Sequence, residues 1–271
     1  MKSNRFHLTI SGILLVVVVA ACSLSPASST TGNTAVPPVS AATVTSQPVS
    51  ASGSGGCANA YFPVSSGNNW SYSSTGSVLG AYTYTWTITD LSNTGFTTND
   101  QSSLGTGTTA IIKWKCRDGK IAALDAGASS LSLSTSKYTM TSNSITAEGY
   151  NIPSTFHTGD TWSETVTVNG TVVTSTRSMD SQIVSKVDCS AVGTDSVTVP
   201  AATFNNAAKV TCTNTVAVSV LLKGTPVPAE APKTVNITDW YAKGVGLVKS
   251  VKVNGATGGT ETIVLTQYKV Q

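Results

Sequence analysis

An alternation with a period of two residues constrains this chain more than any other feature. In Tyr82–Thr89 the side chains of Tyr82, Tyr84, Trp86 and Ile88 fall on one face and threonines on the other. Successive side chains of a strand point to opposite faces, so the pattern describes a half-buried strand. Aromatic and β-branched residues also fit the pleated backbone. No stretch beyond the N-terminus sustains a helical period. The pattern predicts an all-β, predominantly antiparallel fold. Turn signals punctuate it at Asp118-Gly119 and Asn254-Gly255. Asn169-Gly170, between segments 163–168 and 171–176, suits a two-residue type I′ hairpin. A weak internal echo joins Gly67-Asn68-Asn69-Trp70-Ser71 to Gly159-Asp160-Thr161-Trp162-Ser163, each a Gly turn leading into Trp-Ser. The echo is consistent with two similar β-meanders.

The N-terminus is of another kind. Lys2 and Arg5 precede an apolar run from Leu8 to Ala20, too short for a comfortable membrane span of about 20 residues. A basic start, an apolar middle and small residues at the end make a secretory signal. Its end, Val19-Ala20-Ala21-Cys22, resembles a bacterial lipobox. That resemblance implies removal of residues 1–21 and acylation of Cys22, including a palmitate-type chain. Two or more acyl chains hold a protein stably at a membrane. Residues 22–56 are rich in Ser, Thr, Ala, Pro and Gly and carry no charge, which describes a tether of ~30–35 Å rather than a domain. Residues 57–271 are expected to form a single β-domain. The protein is accordingly expected outside the cytoplasm, anchored at the cell membrane or outer membrane.

Charge and cysteines narrow the function classes. Charged residues make up 11% of the chain, against a usual ~25%. Without Lys2 and Arg5 the 16 basic residues fall to 14, against 13 acidic, and no basic stripe suits nucleic acid. Besides Cys22, the cysteines are Cys57, Cys116, Cys189 and Cys212. Four cysteines in an exported chain predict two disulfides, with three possible pairings. Cys57–Cys116 and Cys189–Cys212 are favoured. Cys189 shares parity with Ile183 and Val187, and Cys212 with Val210, so both can face the core.

Three segments carry a family resemblance. They are Tyr61-Phe62-Pro63 leading to Gly67-Asn68-Asn69-Trp70, then Val199-Pro200-Ala201-Ala202-Thr203-Phe204, then Trp240-Tyr241-Ala242-Lys243-Gly244-Val245-Gly246-Leu247-Val248. Together they resemble a group of uncharacterised bacterial envelope lipoproteins with a domain of unknown function. That group is distantly similar to the LolA-like lipoprotein carriers. The resemblance implies a curved antiparallel sheet or open barrel, and no catalytic residue. It departs at Ala202, where a Gly is expected.

The sequence carries no recognisable catalytic motif. The folded region holds no Gly-x-Ser-x-Gly elbow, and its one histidine, His157, sits beside a Thr158-Gly159-Asp160 turn. Ser134-Thr135-Ser136-Lys137 matches Ser-x-x-Lys, a pattern chance supplies in a Ser-rich chain, and its partner motifs are absent. Gly244-Val245-Gly246 lacks the third glycine and following helix of a phosphate loop. Neither metal-ligand spacing nor a cofactor motif appears, and no enzyme activity is expected. The strand aromatics remain. Tyr82, Tyr84, Trp86 and Trp114 are the candidate lining of a concave site for a lipid or other apolar ligand, or else ordinary core. The alternative is a structural or surface-interaction domain that meets an envelope protein and has no small-molecule site.

Overall fold

The computed structural model of the chain describes residues 55–77, 80–103, 108–123, 132–134, 138–174, 177–229 and 231–271. The signal, Cys22 and the tether up to residue 54 lie outside them, as do Thr135, Ser136 and Lys137. A 3₁₀ turn at Gly55–Cys57 precedes fourteen strands. These are β1 (Asn69–Thr75), β2 (Tyr82–Thr89), β3 (Gly95–Ser102), β4 (Thr108–Arg117), β5 (Lys120–Ala123), β6 (Ser132–Ser134) and β7 (Tyr138–Gly149). There follow β8 (Thr161–Thr174), β9 (Ser178–Val199), β10 (Ala202–Leu222), β11 (Thr225–Pro228), β12 (Lys233–Ala242), β13 (Gly246–Asn254) and β14 (Thr260–Lys269). The all-β antiparallel expectation holds.

All fourteen strands join one sheet, in the order β5-β4-β3-β2-β1-β14-β13-β12-β10-β9-β8-β7-β6, with β11 on β10. The sheet is therefore two sequential meanders, β1–β5 and β6–β14, joined where β1 pairs with β14. The free side of β5 then meets the chain leaving β7. Ile121 bridges Ile152, donating to its carbonyl at 2.9 Å and accepting from its amide at 3.0 Å. This bridge nearly closes the sheet into a barrel and covers an edge that would otherwise be open for pairing.

One end of the barrel is sealed by residues 57–68. Cys57 is bonded to Cys116, with Cα atoms 4.9 Å apart, which ties this segment to β4. Asn59 is fully buried and satisfies four backbone groups. Its amide donates to the carbonyls of Gly119 and Pro153, and its Oδ1 accepts from the amides of Tyr61 and Phe62. Phe62 stacks on Trp70 and Phe96, with centroids 5.4 and 5.7 Å away. The three resemblance segments meet here. The Trp70 indole donates to the Val245 carbonyl at 2.6 Å, and Gly244 donates to Ala60 at 2.7 Å. Ala201, in the β9–β10 turn, donates to Leu265. The segment Trp240–Val248 is thus the β12–β13 hairpin, which holds Trp70 of β1. Gly246, with φ of 111°, leaves room for the Trp70 ring, whose Nε1 a Cβ would meet at 3.4 Å.

The turn expectations divide. Asp118 and Gly119 adopt φ of 52° and 74° between the paired Arg117 and Lys120, the left-handed pair of a type I′ turn. Asn254-Gly255 opens a longer connection to β14, closed by Gly258 donating to Asn254. Asn169-Gly170 is not a turn: β8 runs through it, pairing with β7 on one side and β9 on the other. The register on β7 slips between Ser142 and Ser144, so a bulge faces this dipeptide. A Cβ on Gly170 would come within 2.5 Å of the Thr141 carbonyl oxygen. The glycine serves close backbone approach inside a strand rather than a reversal. A two-residue turn that the sequence reading did not mark, Lys223-Gly224, joins β10 to β11, with φ of 53° and 80°.

β9 and β10, of 22 and 21 residues, run well beyond the usual strand length. They carry the barrel wall into a second cluster of Ile145, Val166, Val168, Val172, Ile183 and Val218. The second disulfide, Cys189–Cys212, joins directly paired residues of β9 and β10 at a Cα separation of 4.1 Å. Both disulfides are the pairings favoured from the sequence. Ala202 pairs with Val199 and adopts no positive φ. The β9–β10 turn consists of Pro200 and Ala201 and needs no glycine.

Candidate functional site: the barrel interior

Strand register decides what lines the interior. Cross-strand partners share a face, so one inward row runs Val210, Asp239, Ser250, Ile263, Ser74 and Tyr82. The next row includes Cys212, Ile237, Lys252 and Glu261. On the other meander, Trp70 pairs with Trp86 and Trp86 with Asp100, while Tyr72 pairs with Tyr84. The interior is therefore aromatic and acidic together. Near the sealed end it is filled, with Trp70, Tyr72 and Ile88 almost wholly buried. Further along, Tyr84, Trp86, Asp100, Trp114 and Asp239 point inward yet stay only half-buried.

The inward aromatics of this wall form two groups of ring contacts, one on β1 and β2 and one around Phe62, Phe96 and Trp114. Tyr72 stacks on Tyr84 at 4.9 Å and meets Trp86 edge-on at 5.8 Å. Tyr84 lies 6.0 Å from both Tyr82 and Trp86. Trp114 stacks on Phe96 at 5.9 Å and its indole donates to Thr98 Oγ1 at 3.0 Å. Such pairs add about 0.5–1.5 kcal/mol each beyond the area they bury.

The polar groups share this wall. Glu261 Oε1 accepts from Ser74 at 2.6 Å and from Tyr82 at 2.7 Å, and Oε2 lies 3.9 Å from Lys252 Nζ. Tyr241 donates to Asp239 Oδ2 at 3.3 Å. Burial lifts the Asp100 carboxyl to about 7, although hydrogen bonds from Thr98 and Trp86 pull it down. Burial also raises Asp239, opposed by Ser250, Lys252 and Tyr241. Tyr72 is raised by burial, then by Asp239 and Asp100, so both carboxylates act on the same phenol. Tyr84 is raised by burial and feels Tyr72, Tyr82, Glu261 and Asp100. Among the described residues, Asp100 Oδ1 and Asp239 Oδ1 are buried without a hydrogen-bond partner.

The sequence-predicted lining residues Tyr82, Tyr84 and Trp86 stand side by side on β2, and Trp114 lies two strands away on β4. Tyr82 is buried, with its hydroxyl on Glu261, whereas the other three keep contact with solvent. The sequence reading missed Asp100, Asp239, Ser250, Lys252 and Glu261 as a group. Parity was the available signal: Asp100 shares a face with Phe96 and Thr98, and Asp239 with Ile237 and Tyr241. His157 is exposed, and its ring lies 3.1 Å from Asp160, whose carboxyl is lowered first by the His157 backbone amide. It forms a surface turn. Among the described residues no group of three or more His, Cys, Asp or Glu is arranged to hold a metal. No helix among them is long and apolar enough to cross a membrane.

The fold and site define a nearly closed antiparallel barrel, sealed at one end, with an aromatic and acidic interior. Residues 96–258 match the family model described as DUF3108-like, and the chain belongs to that family. Among curated proteins none matches it. Two crystal structures are similar over 78% of this chain and 99% of their own. One is from Bacteroides fragilis NCTC 9343, described as an exported protein with a YmcC-like fold, at 14% identity and a TM-score of 0.48. The other is from Parabacteroides distasonis ATCC 8503, described as a lipoprotein, at 18% identity and a TM-score of 0.48.

Proposed function

We propose that this is a membrane-anchored, extracytoplasmic lipoprotein whose barrel interior binds a lipid or other apolar ligand, without catalysing a reaction. The observation that carries the binding reading is the inward face of β2 and β4. There Tyr84, Trp86 and Trp114 project into the barrel and keep contact with solvent, whereas Trp70 and Tyr72 beside them are closed off. An apolar chain laid on that wall buries surface at ~25 cal/mol per Å² before the costs of association. Anchoring is supported by the lipobox-like end at Cys22, and export by two disulfides, which persist in oxidising compartments. The ligand class agrees with the distant similarity to LolA-like lipoprotein carriers noted from the sequence.

The experiment is a titration of the protein with a fluorescent acyl-chain probe, together with melting curves, for wild type and Trp86→Ala. Weakened probe binding with a largely unchanged melt supports the site. Failure of wild type to bind, with a large loss of stability in the variant, leaves Trp86 as core and rejects it. One observation favours a second reading, a surface-interaction domain. The outer face of β8, β9, β10 and β12 forms a shallow depression lined by Thr161, Ser163, Ser190, Thr211, Thr213 and Thr238. A partner protein binding there with an empty interior would support that reading.

A further inference from the structure

We propose that the interior ligand carries a positively charged ammonium group, held where Asp100 and Asp239 converge on the aromatic wall. The inference rests on the reading that the interior is the binding site, and it specifies the ligand's head group.

Charge balance is the first ground. Asp100, Asp239 and Glu261 all lie on the inward face, and Lys252 faces Glu261 and Asp239. Lys252 lies 3.9 Å from Glu261 and acts on Asp239, so one ammonium is shared between two carboxylates. Among the described residues, the hydrogen bonds that act on Asp100 come from neutral donors, Thr98 and Trp86. A buried carboxylate without a counter-charge is costly, and a cation brought in by a ligand would relieve it.

Unfilled hydrogen-bonding capacity is the second and independent ground. Ser250 is 2% exposed, sits beside Asp239 in the inward row, and its hydroxyl is taken up by the Asp239 carboxyl. Asp100 Oδ1 and Asp239 Oδ1 are buried with no hydrogen-bond partner among the described residues. Native proteins leave few such atoms, and each one calls for an explanation. An ammonium group supplies up to three donors, which unpartnered carboxylate oxygens accept.

The aromatic surroundings are the third ground. Tyr72, Tyr84 and Trp86 stand within 6 Å of one another, centroid to centroid, around the same acids. Aromatic faces attract cations through the ring quadrupole, most strongly for Trp and more strongly away from water. The same rings receive an alkyl chain. Carboxylates among aromatic faces therefore select an alkylammonium over a fatty acid, whose own carboxylate they would repel.

The test uses the full chain at pH 8, where Asp100 is ionised, and four single-chain amphiphiles below their micelle-forming concentrations: decylamine as the cation with N–H donors, decyltrimethylammonium as the cation without them, decanol as the neutral chain, and decyl sulfate as the anion. Tryptophan fluorescence reads binding. The cationic chains should bind at least tenfold more tightly than decanol, and decyl sulfate more weakly than decanol. Asp100→Asn should reduce the cation preference, the ratio of decylamine to decanol affinity, at least fivefold. Asp239→Asn should act in the same direction, and its circular dichroism melt reports whether it folds. If it does not fold, the Asp100→Asn comparison decides alone. Equal binding of decylamine and decanol, or a preference that survives Asp100→Asn, overturns the ammonium assignment and leaves the apolar site standing. Absence of binding by all four overturns both.

Discussion

Replacing Asp100 by Asn should make the protein more stable, by an amount that depends on pH in a defined way. Well below pH 3.8 the Asp100 carboxyl is protonated in the folded and unfolded chains alike, and its ionisation contributes nothing. As pH rises past the ordinary value of 3.8, the unfolded chain loses this proton, while burial keeps it on the folded chain until about 7. The unfolded state then binds fewer protons, so stability falls with rising pH across that window and levels off above it. Each tenfold change is worth about 1.4 kcal/mol, so the interval from 3.8 to about 7 sets a ceiling of ~4 kcal/mol. Asn keeps an acceptor for Thr98 and Trp86 but never ionises. Urea unfolding followed by tryptophan fluorescence at pH 4, 5, 6, 7 and 8 measures the difference between variant and wild type. Asp239 is also raised, while Asp160 and Asp195 are lowered, but these groups are present in both proteins and largely cancel. The difference should grow from its smallest value at pH 4 to a few kcal/mol at pH 8. A difference that is flat with pH would refute the burial of an uncompensated carboxyl in the barrel.

Three further outcomes follow from the seal and the anchor. Asn59→Ala removes four buried hydrogen bonds at once and should cost 3 kcal/mol or more, read by denaturant unfolding, because each orphaned backbone group costs ~1–3 kcal/mol. Converting Cys57 and Cys116 together to Ala opens a loop of 59 residues and should cost ~4 kcal/mol on the chain-entropy account, against ~3 kcal/mol for the 23-residue separation of Cys189 and Cys212. A smaller loss for the longer loop would count against that account. Cys22→Ser should leave the protein unprocessed or shift it from the detergent phase to the aqueous phase, and normal processing with unchanged partitioning would remove the lipoprotein reading.

The sequence disclosed the fold class because alternation on strands such as Tyr82–Thr89 follows from backbone geometry and needs no long-range information. The disulfides were legible for a related reason, since parity placed Cys189 and Cys212 on one face. Asn169-Gly170 misled because its turn chemistry is local, whereas its role is set by a bulge on a neighbouring strand. Closure of the barrel through Ile121 and Ile152 depends on where two meanders end in space, which no local pattern encodes. The aromatic half of the candidate site was visible as a stripe on a single strand. Its acidic half was not, because Asp100, Asp239 and Glu261 come from β3, β12 and β14 and meet only across the curved wall. Isolated acids in strands read as surface residues until the inward register of each strand is known.

Native mass spectrometry of the protein, gently extracted from its membrane, tests the central claim most directly. The interior-binding account predicts a bound apolar species that dissociates on activation. It also predicts a much lower occupancy in Trp86→Ala with the two disulfides intact. Bare polypeptide in both proteins, with no uptake of an added acyl-chain probe by the wild type, would contradict it.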